Sequence, residues 1–202
     1  MKRTIKDFDL EGKKIIIRCD LNVPIENGVI TDDTRIVASL RTIKYALRFN
    51  TKIILLSHLG KIKTEEDKKK NSLYPVAERL REYLNTEVLF SPDTCSDRLT
   101  DMVNNMKEKS VLLIENTRFE DVPNKRESEC NDDLAKYWAS LGDIFINDAY
   151  GTCHRNHTSI TGIPKYLPSG VGFLVEKELQ KVDSVLDAKT HPFIAVLGGK
   201  KV

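Results

Sequence analysis

Six short, almost unbroken apolar runs, separated by longer stretches of helical periodicity, restrict what this chain can fold into. The runs are KIIIR (14–18), KIILL (52–56), EVLF (87–90), SVLLI (110–114), DIFI (143–146) and FIAVL (193–197). A strand with one face in water alternates apolar and polar residues. A continuous run has no face to spare for water and belongs in a parallel sheet covered by helices on both sides. The intervening stretches supply the helices. Ile36, Val37, Leu40, Ile43 and Leu47 recur at helical spacing behind Asp32 and Asp33 as caps, and Leu73, Val76, Ala77, Leu80 and Leu84 behind Ser72. Further stripes are Leu99, Met102, Val103 and Met106; Leu134, Tyr137, Trp138 and Leu141; and Val175, Leu179, Val182 and Leu186. Such stripes are read as core packing.

The expected fold is therefore α/β, a Rossmann-like three-layer domain with a mainly parallel sheet. The Pro- and Gly-containing stretch TGIPKYLPSGVG (161–172) marks the end of that unit, taken as residues 1–172. Residues 173–188 read as a connecting helix, and 189–202 as the start of a second domain of which only the first strand is present. The charged segment KIKTEEDKKKN (61–71) has no apolar period and is expected to be a solvated loop.

Charge and cysteine content exclude several functions. Basic and acidic residues, 32 and 30, nearly cancel, so attraction for an anion must come from local clustering, and bulk nucleic-acid binding is not expected. Cys19, Cys95, Cys130 and Cys153 are widely spread with no C-x-x-C, which reads as reduced thiols in a cytoplasmic protein. MKRTIKDFDL has no apolar signal core, and no apolar run approaches the roughly 18 residues of a membrane span.

In an open parallel sheet, ligands bind at the carboxyl ends of the strands. Arg18, Asp20 and Asn22 follow the first run, Ser57, His58 and Gly60 the second, and Glu115, Asn116 and Arg118 the fourth. After the fifth come Asn147, Asp148, Gly151, His154, Arg155 and His157, whereas the third ends in the blander SPDT. Singly, each has a plain reading as a surface charge, a helix cap or a satisfied hydrogen-bonding group. Jointly, Arg35, Arg118 and Arg155 with His58, His154 and His157 could surround a small ligand carrying carboxylate and phosphate, which guanidinium forks match. In CHRNH (153–157), Cys153, His154 and His157 could ligate a metal, but no second group stands at ligand spacing, and Cys153 beside His154 does not make a nucleophile and base. There is no G-x-S-x-G elbow, Walker A loop or G-x-G-x-x-G fingerprint. AVLGGKKV (195–202) nevertheless reads like the opening of a phosphate cradle.

RCDLNVP (18–24), DDTRI (32–36), SHLGK (57–61), ENTRF (115–119), NDAYGTCHRNHTS (147–159), GFLVEKEL (172–179) and LGGKKV (197–202) resemble, in order, the signatures of the phosphoglycerate kinase family. The resemblance covers essentially all of this chain and about the first half of the family's usual length. It implies reversible phosphoryl transfer between ATP and 3-phosphoglycerate, giving ADP and 1,3-bisphosphoglycerate in glycolysis, with magnesium, across a cleft between two α/β domains. It also implies a monomeric parent protein without nucleic-acid or membrane partners. By motif match, residues 1–172 would hold the phosphoglycerate and 189–202 would begin the nucleotide domain.

The same match implies site residues. Asp20 and Asn22 would contact the hydroxyl and carboxyl end, with Leu21 beside them, and His58, Arg118 and Arg155 would hold the phosphate, with Leu59, Gly60 and Lys61 alongside. Arg35 would bridge carboxylate and migrating phosphoryl group as the catalytic residue, His154 would support the network, and Lys201 would reach the nucleotide phosphates. Lys61 stands where the family usually has arginine and Lys200 where a small residue is usual, the first replacing a fork by a point charge. The 202-residue chain alone is expected to bind phosphoglycerate weakly without turning over ATP. The alternative is a non-catalytic anion-binding or interaction module on the same fold.

Overall fold

A computed structural model of the chain describes residues 2–186 together with Ile194, Val196 and Gly198. Apart from those three positions, the expected strand at 193–197 and second unit at 189–202, Lys201 included, lie outside the described residues.

In chain order the regular elements begin with β1 (Lys14–Arg18), β2 (Ile25–Glu26), β3 (Val29–Ile30), α1 (Thr34–Ala46) and β4 (Lys52–Leu56). Next come α2 (Glu65–Lys70), α3 (Tyr74–Tyr83), β5 (Val88–Ser91), α4 (Asp97–Asn104) and β6 (Ser110–Ile114). The last are α5 (Asp132–Ser140), β7 (Ile144–Asn147), β8 (Ser169–Val171) and α6 (Phe173–Leu186). Six strands form one sheet in the order β5-β6-β4-β1-β7-β8. All its pairings are parallel. The helices account for this: each returns the chain to the same end of the sheet, so consecutive strands point the same way.

The continuous apolar runs feed two cores at once, because side chains alternate across the pleat. Ile15, Ile17, Ile53, Leu55 and Leu113 pack on one face with Ile36, Leu40 and Ile43 of α1 and Val76, Ala77 and Leu80 of α3. Ile16, Ile54, Leu112 and Phe145 pack on the other with Leu99 and Val103 of α4 and Leu134 and Trp138 of α5. The result is the expected α/β three-layer arrangement.

The structure departs from the sequence reading in several elements. Residues 65–70, expected to be loop, form α2, because Thr64 and Asp67 make a reciprocal capping box and acidic residues in the first turn face lysines in the last. β8 forms at the sheet edge without any apolar run. Val171 N–H donates to Arg3 O at 2.9 Å, and Gly170 lies so close to Phe8 that an added Cβ would come within 2.6 Å of its ring. The β2–β3 hairpin turns on Asn27 and Gly28 at φ +51° and +81°, the left-handed pair favoured in two-residue turns. β5 and β7 each start and end one residue later than expected. No helix of the described residues is long and apolar enough to cross a membrane.

Candidate functional site

β1 lies between β4 and β7, and its last residue, Arg18, is in register with Leu56 and Asn147. The loops leaving these strands converge there and are stitched by side chains. Leu21 N–H donates to Ser57 Oγ at 2.9 Å, and Gly60 N–H to Asn22 Oδ1 at 2.8 Å. Asn116, just past β6, accepts Leu59 N–H at 3.2 Å and returns its amide to Leu59 O at 2.7 Å. Gly60 is at φ +59°, where a side chain would be strained. Asp20 is paired with Arg35, which projects half-exposed from the first turn of α1.

Arg18 is fully buried. Its Nε–H donates to Ser159 Oγ at 2.8 Å, Nη1 donates to Cys19 O, and Nη2 lies 3.3 Å from His58 Nδ1. Burial, then the charges of Arg18, Arg118, His157 and Arg35, hold the His58 imidazole far below its ordinary pKa. His157 falls to about 4, through burial first and then Arg118, with Arg18 and Arg155 acting in the same direction. Asp121 pulls the other way, but burial and the three cations outweigh it and leave the ring neutral at pH 7, even with Glu127 Oε1 3.8 Å from its Nδ1. Buried Arg118 Nε has no hydrogen-bond partner among the described residues. Guanidinium groups from β1, α1, the turn after β6 and the loop after β7 thus act on two neutral imidazoles. Such an arrangement concentrates N–H donors and positive potential on one small region, and suits an oxyanion.

The sequence model of the family described as phosphoglycerate kinase matches residues 5–202. The chain belongs to the phosphoglycerate kinase family. A phosphoglycerate kinase of Enterococcus faecalis is 55% identical over 202 residues, all of this chain and 51% of the relative. One from Listeria innocua is 53% identical over 201 residues, again 100% of this chain and 51% of the relative. The chain therefore spans about half the length of the curated relatives it matches. The structure of phosphoglycerate kinase from Coxiella burnetii superimposes with a TM-score of 0.81 at 34% identity, covering 95% of this chain and 47% of that one. That from Pyrococcus horikoshii OT3 gives 0.83 at 32% identity, with 100% and 50% covered.

Of the residues that the phosphoglycerate kinase motifs pick out, Asp20, Asn22, Arg35, His58, Arg118 and Arg155 sit on the converging loops or act on the two imidazoles. Leu21 and Leu59 are buried in the core beneath them. Lys61 and His154 are exposed, and neither is among the leading charges acting on His58 or His157. Ser159 closes the quoted NDAYGTCHRNHTS motif without a role assigned to it, and Glu127 was not legible as a site residue at all. The surrounding KRESEC reads as ordinary polar loop, and Glu127 is drawn into the interior only by the fold. Asp148 is a cap: its Oδ1 accepts Leu174 and Val175 N–H of α6 at 2.8 and 3.3 Å. A cavity of about 830 Å³ lies elsewhere, between the N-terminal segment and α6. Its Lys6 and Glu176 neutralise each other at 2.7 Å, so the strand-end cluster is the better anion site.

Proposed function

We propose that this chain forms the 3-phosphoglycerate-binding side of a phosphoglycerate kinase, an ATP:3-phosphoglycerate 1-phosphotransferase of glycolysis acting in the cytoplasm as a monomer. The observation that carries this reading is the cationic strand-end cluster, in which buried Arg18 reaches His58 Nδ1 at 3.3 Å, the buried Nε of Arg118 has no partner among the described residues, and Arg35 stands paired with Asp20 on the neighbouring loop. In the proposed organisation, residues 1–172 would bind the acid, 173–188 would connect, and 189–202 would open the nucleotide domain, with Lys201 as a contact to the nucleotide phosphates.

Asp20 and Asn22 would take the hydroxyl and carboxyl end, with the Leu21 backbone beside them. His58, Arg118 and Arg155 would take the phosphate, with Gly60 and Lys61 alongside on the loop that buried Leu59 anchors, and His154 in support. Arg35 is tied to Asp20 in the free chain and only half-buried, so it can turn towards an arriving carboxylate and the migrating phosphoryl group. Phosphoryl transfer asks for charge stabilisation and alignment more than for covalent help, and fixed guanidinium groups in a partly dry site provide both. A neutral imidazole contributes one N–H donor and carries no charge of its own. Magnesium would arrive with ATP or ADP. A hard cation needs several oxygen ligands, and among the described residues no group of three or more His, Cys, Asp or Glu could hold one, so the ion does not fit on these residues alone.

Calorimetric titration with 3-phosphoglycerate tests the site. R118A should weaken binding by about 10- to 100-fold, the loss of one or two charge-assisted hydrogen bonds, and an unchanged affinity would refute the assignment. The 202-residue chain is expected to give no steady-state turnover with ATP and magnesium. In a protein carrying the whole phosphoglycerate kinase sequence, R35A should abolish transfer while leaving the fold intact. A modest change in affinity alone would instead mark an anion-binding module.

A further inference from the structure

The strand-end cluster contains a chain of buried contacts that anion binding by itself does not require. Glu127 is fully buried. One carboxylate oxygen accepts the Ser159 backbone N–H at 3.0 Å, and the other accepts the Ser159 hydroxyl. The Ser159 oxygen accepts Arg18 Nε–H at 2.8 Å, and the far end of the guanidinium reaches His58 Nδ1 at 3.3 Å. A guanidinium has donors only, so at this contact Nδ1 must accept. A neutral imidazole whose Nδ1 accepts carries its proton on Nε2.

We propose that Glu127 is a positioning residue: through Ser159 it fixes Arg18, and through Arg18 it holds His58 in the neutral Nε2–H form, ready to donate to a phosphate oxygen. Only the last step rests on the phosphate-binding reading above. Two further observations agree. Glu127 is the foremost opposite charge acting on buried Arg18, ahead of Asp20. Burial and the charges of Arg18, Arg118, His157 and Arg35 all disfavour the His58 imidazolium. Replacing Glu127 by glutamine keeps the shape but leaves a buried guanidinium short of counter-charge, which draws it towards Asp20 or water and releases Nδ1.

The test uses the 202-residue chain with 15N-labelled histidine, without ligand and then with inorganic phosphate. Long-range 1H–15N spectra at pH 7 should show His58 protonated on Nε2 alone, and in E127Q a mixture of tautomers. Phosphate should bind E127Q about tenfold more weakly, the loss of one hydrogen bond involving a charged group. A purely electrostatic role predicts the opposite sign, since removing a negative charge beside an anion site tightens binding. A wild-type His58 protonated on Nδ1, or an imidazolium, overturns the proposal. So does an E127Q that keeps the wild-type tautomer and binds phosphate as tightly or more so. If E127Q does not fold, S159A, which removes only the linking hydroxyl, is held to the same two readouts. A wild-type chain that ignores phosphate sinks the functional reading, while the His58 tautomer still decides the positioning role of Glu127.

Discussion

Arg18 ends a strand, where a sequence reading expects a side chain in solvent, and is instead fully buried. Burying a guanidinium costs several kcal/mol unless opposite charge and hydrogen bonds come with it, and Glu127, Ser159 and the Cys19 carbonyl supply them. His157 shares this environment and gives a pH prediction. Its folded pKa of about 4 lies below its unfolded value near 6.5, so its contribution to stability is complete above pH 6.5 and is lost as pH falls towards 4. Buried Glu115, Glu127 and Asp148 have raised pKa values and act in the opposite sense, favouring the fold as they protonate. The measurement is therefore a difference: urea unfolding of wild type and H157Q between pH 4 and 7 should show the wild type losing relative stability on acidification. A pH-independent difference would contradict this. Gly60 gives a second residue-level expectation. At φ +59°, with Asn71 Oδ1 only 2.2 Å from an added Cβ, G60A should cost about 1–2 kcal/mol by urea denaturation.

At the level of elements, ends matter more than interiors. α2 has no buried residue, so its capping box and the ordering of its charges hold it, with Lys68 Nζ donating to Val122 O at 3.4 Å as a tie to the neighbouring turn. T64A should speed amide exchange across Glu65–Lys70 while moving global stability by less than about 0.5 kcal/mol. A shift in the global midpoint would mean that α2 is tied to the core after all. α6 is different, because its cap comes from the neighbourhood of the site: Asp148 follows β7 directly and accepts the Leu174 and Val175 N–H groups. D148A should destabilise the chain by about 1–3 kcal/mol, combining lost cap, lost helix-dipole charge and a buried gap. Exchange of the first α6 amides should rise with it. The apolar stripes behind α1, α3, α4, α5 and α6 were plain in the sequence because amphipathic period is local information. α2 and β8 were not, since one rests on side chains three residues apart within a charged stretch and the other on Phe8 and Arg3, far away along the chain.

For the molecule as a whole, the sheet is the shared wall of both cores. Ile15 and Ile17 face one cluster while Ile16 faces the other, so neither can melt without exposing the strands that serve its partner. The single tryptophan, Trp138, is fully buried in the second cluster with its indole N–H donating to Thr94 O at 2.7 Å. Its emission should be blue-shifted and should report unfolding with the same midpoint as far-ultraviolet circular dichroism, as two-state behaviour requires. Separate midpoints would show that the two cores are independent.

Fold class was readable from KIIIR, KIILL and SVLLI, since continuous burial and helical period are properties of neighbouring residues and their cost is paid locally. The strand-end polar residues were readable too, because a parallel sheet has one edge at which its loops can bind a ligand. Which of those residues meet was settled in three dimensions. Arg18 lies 109 positions from Glu127, 141 from Ser159 and 40 from His58, separations at which no periodicity relates two side chains. Burial decides their protonation and partners, and burial depends on every layer packed above them.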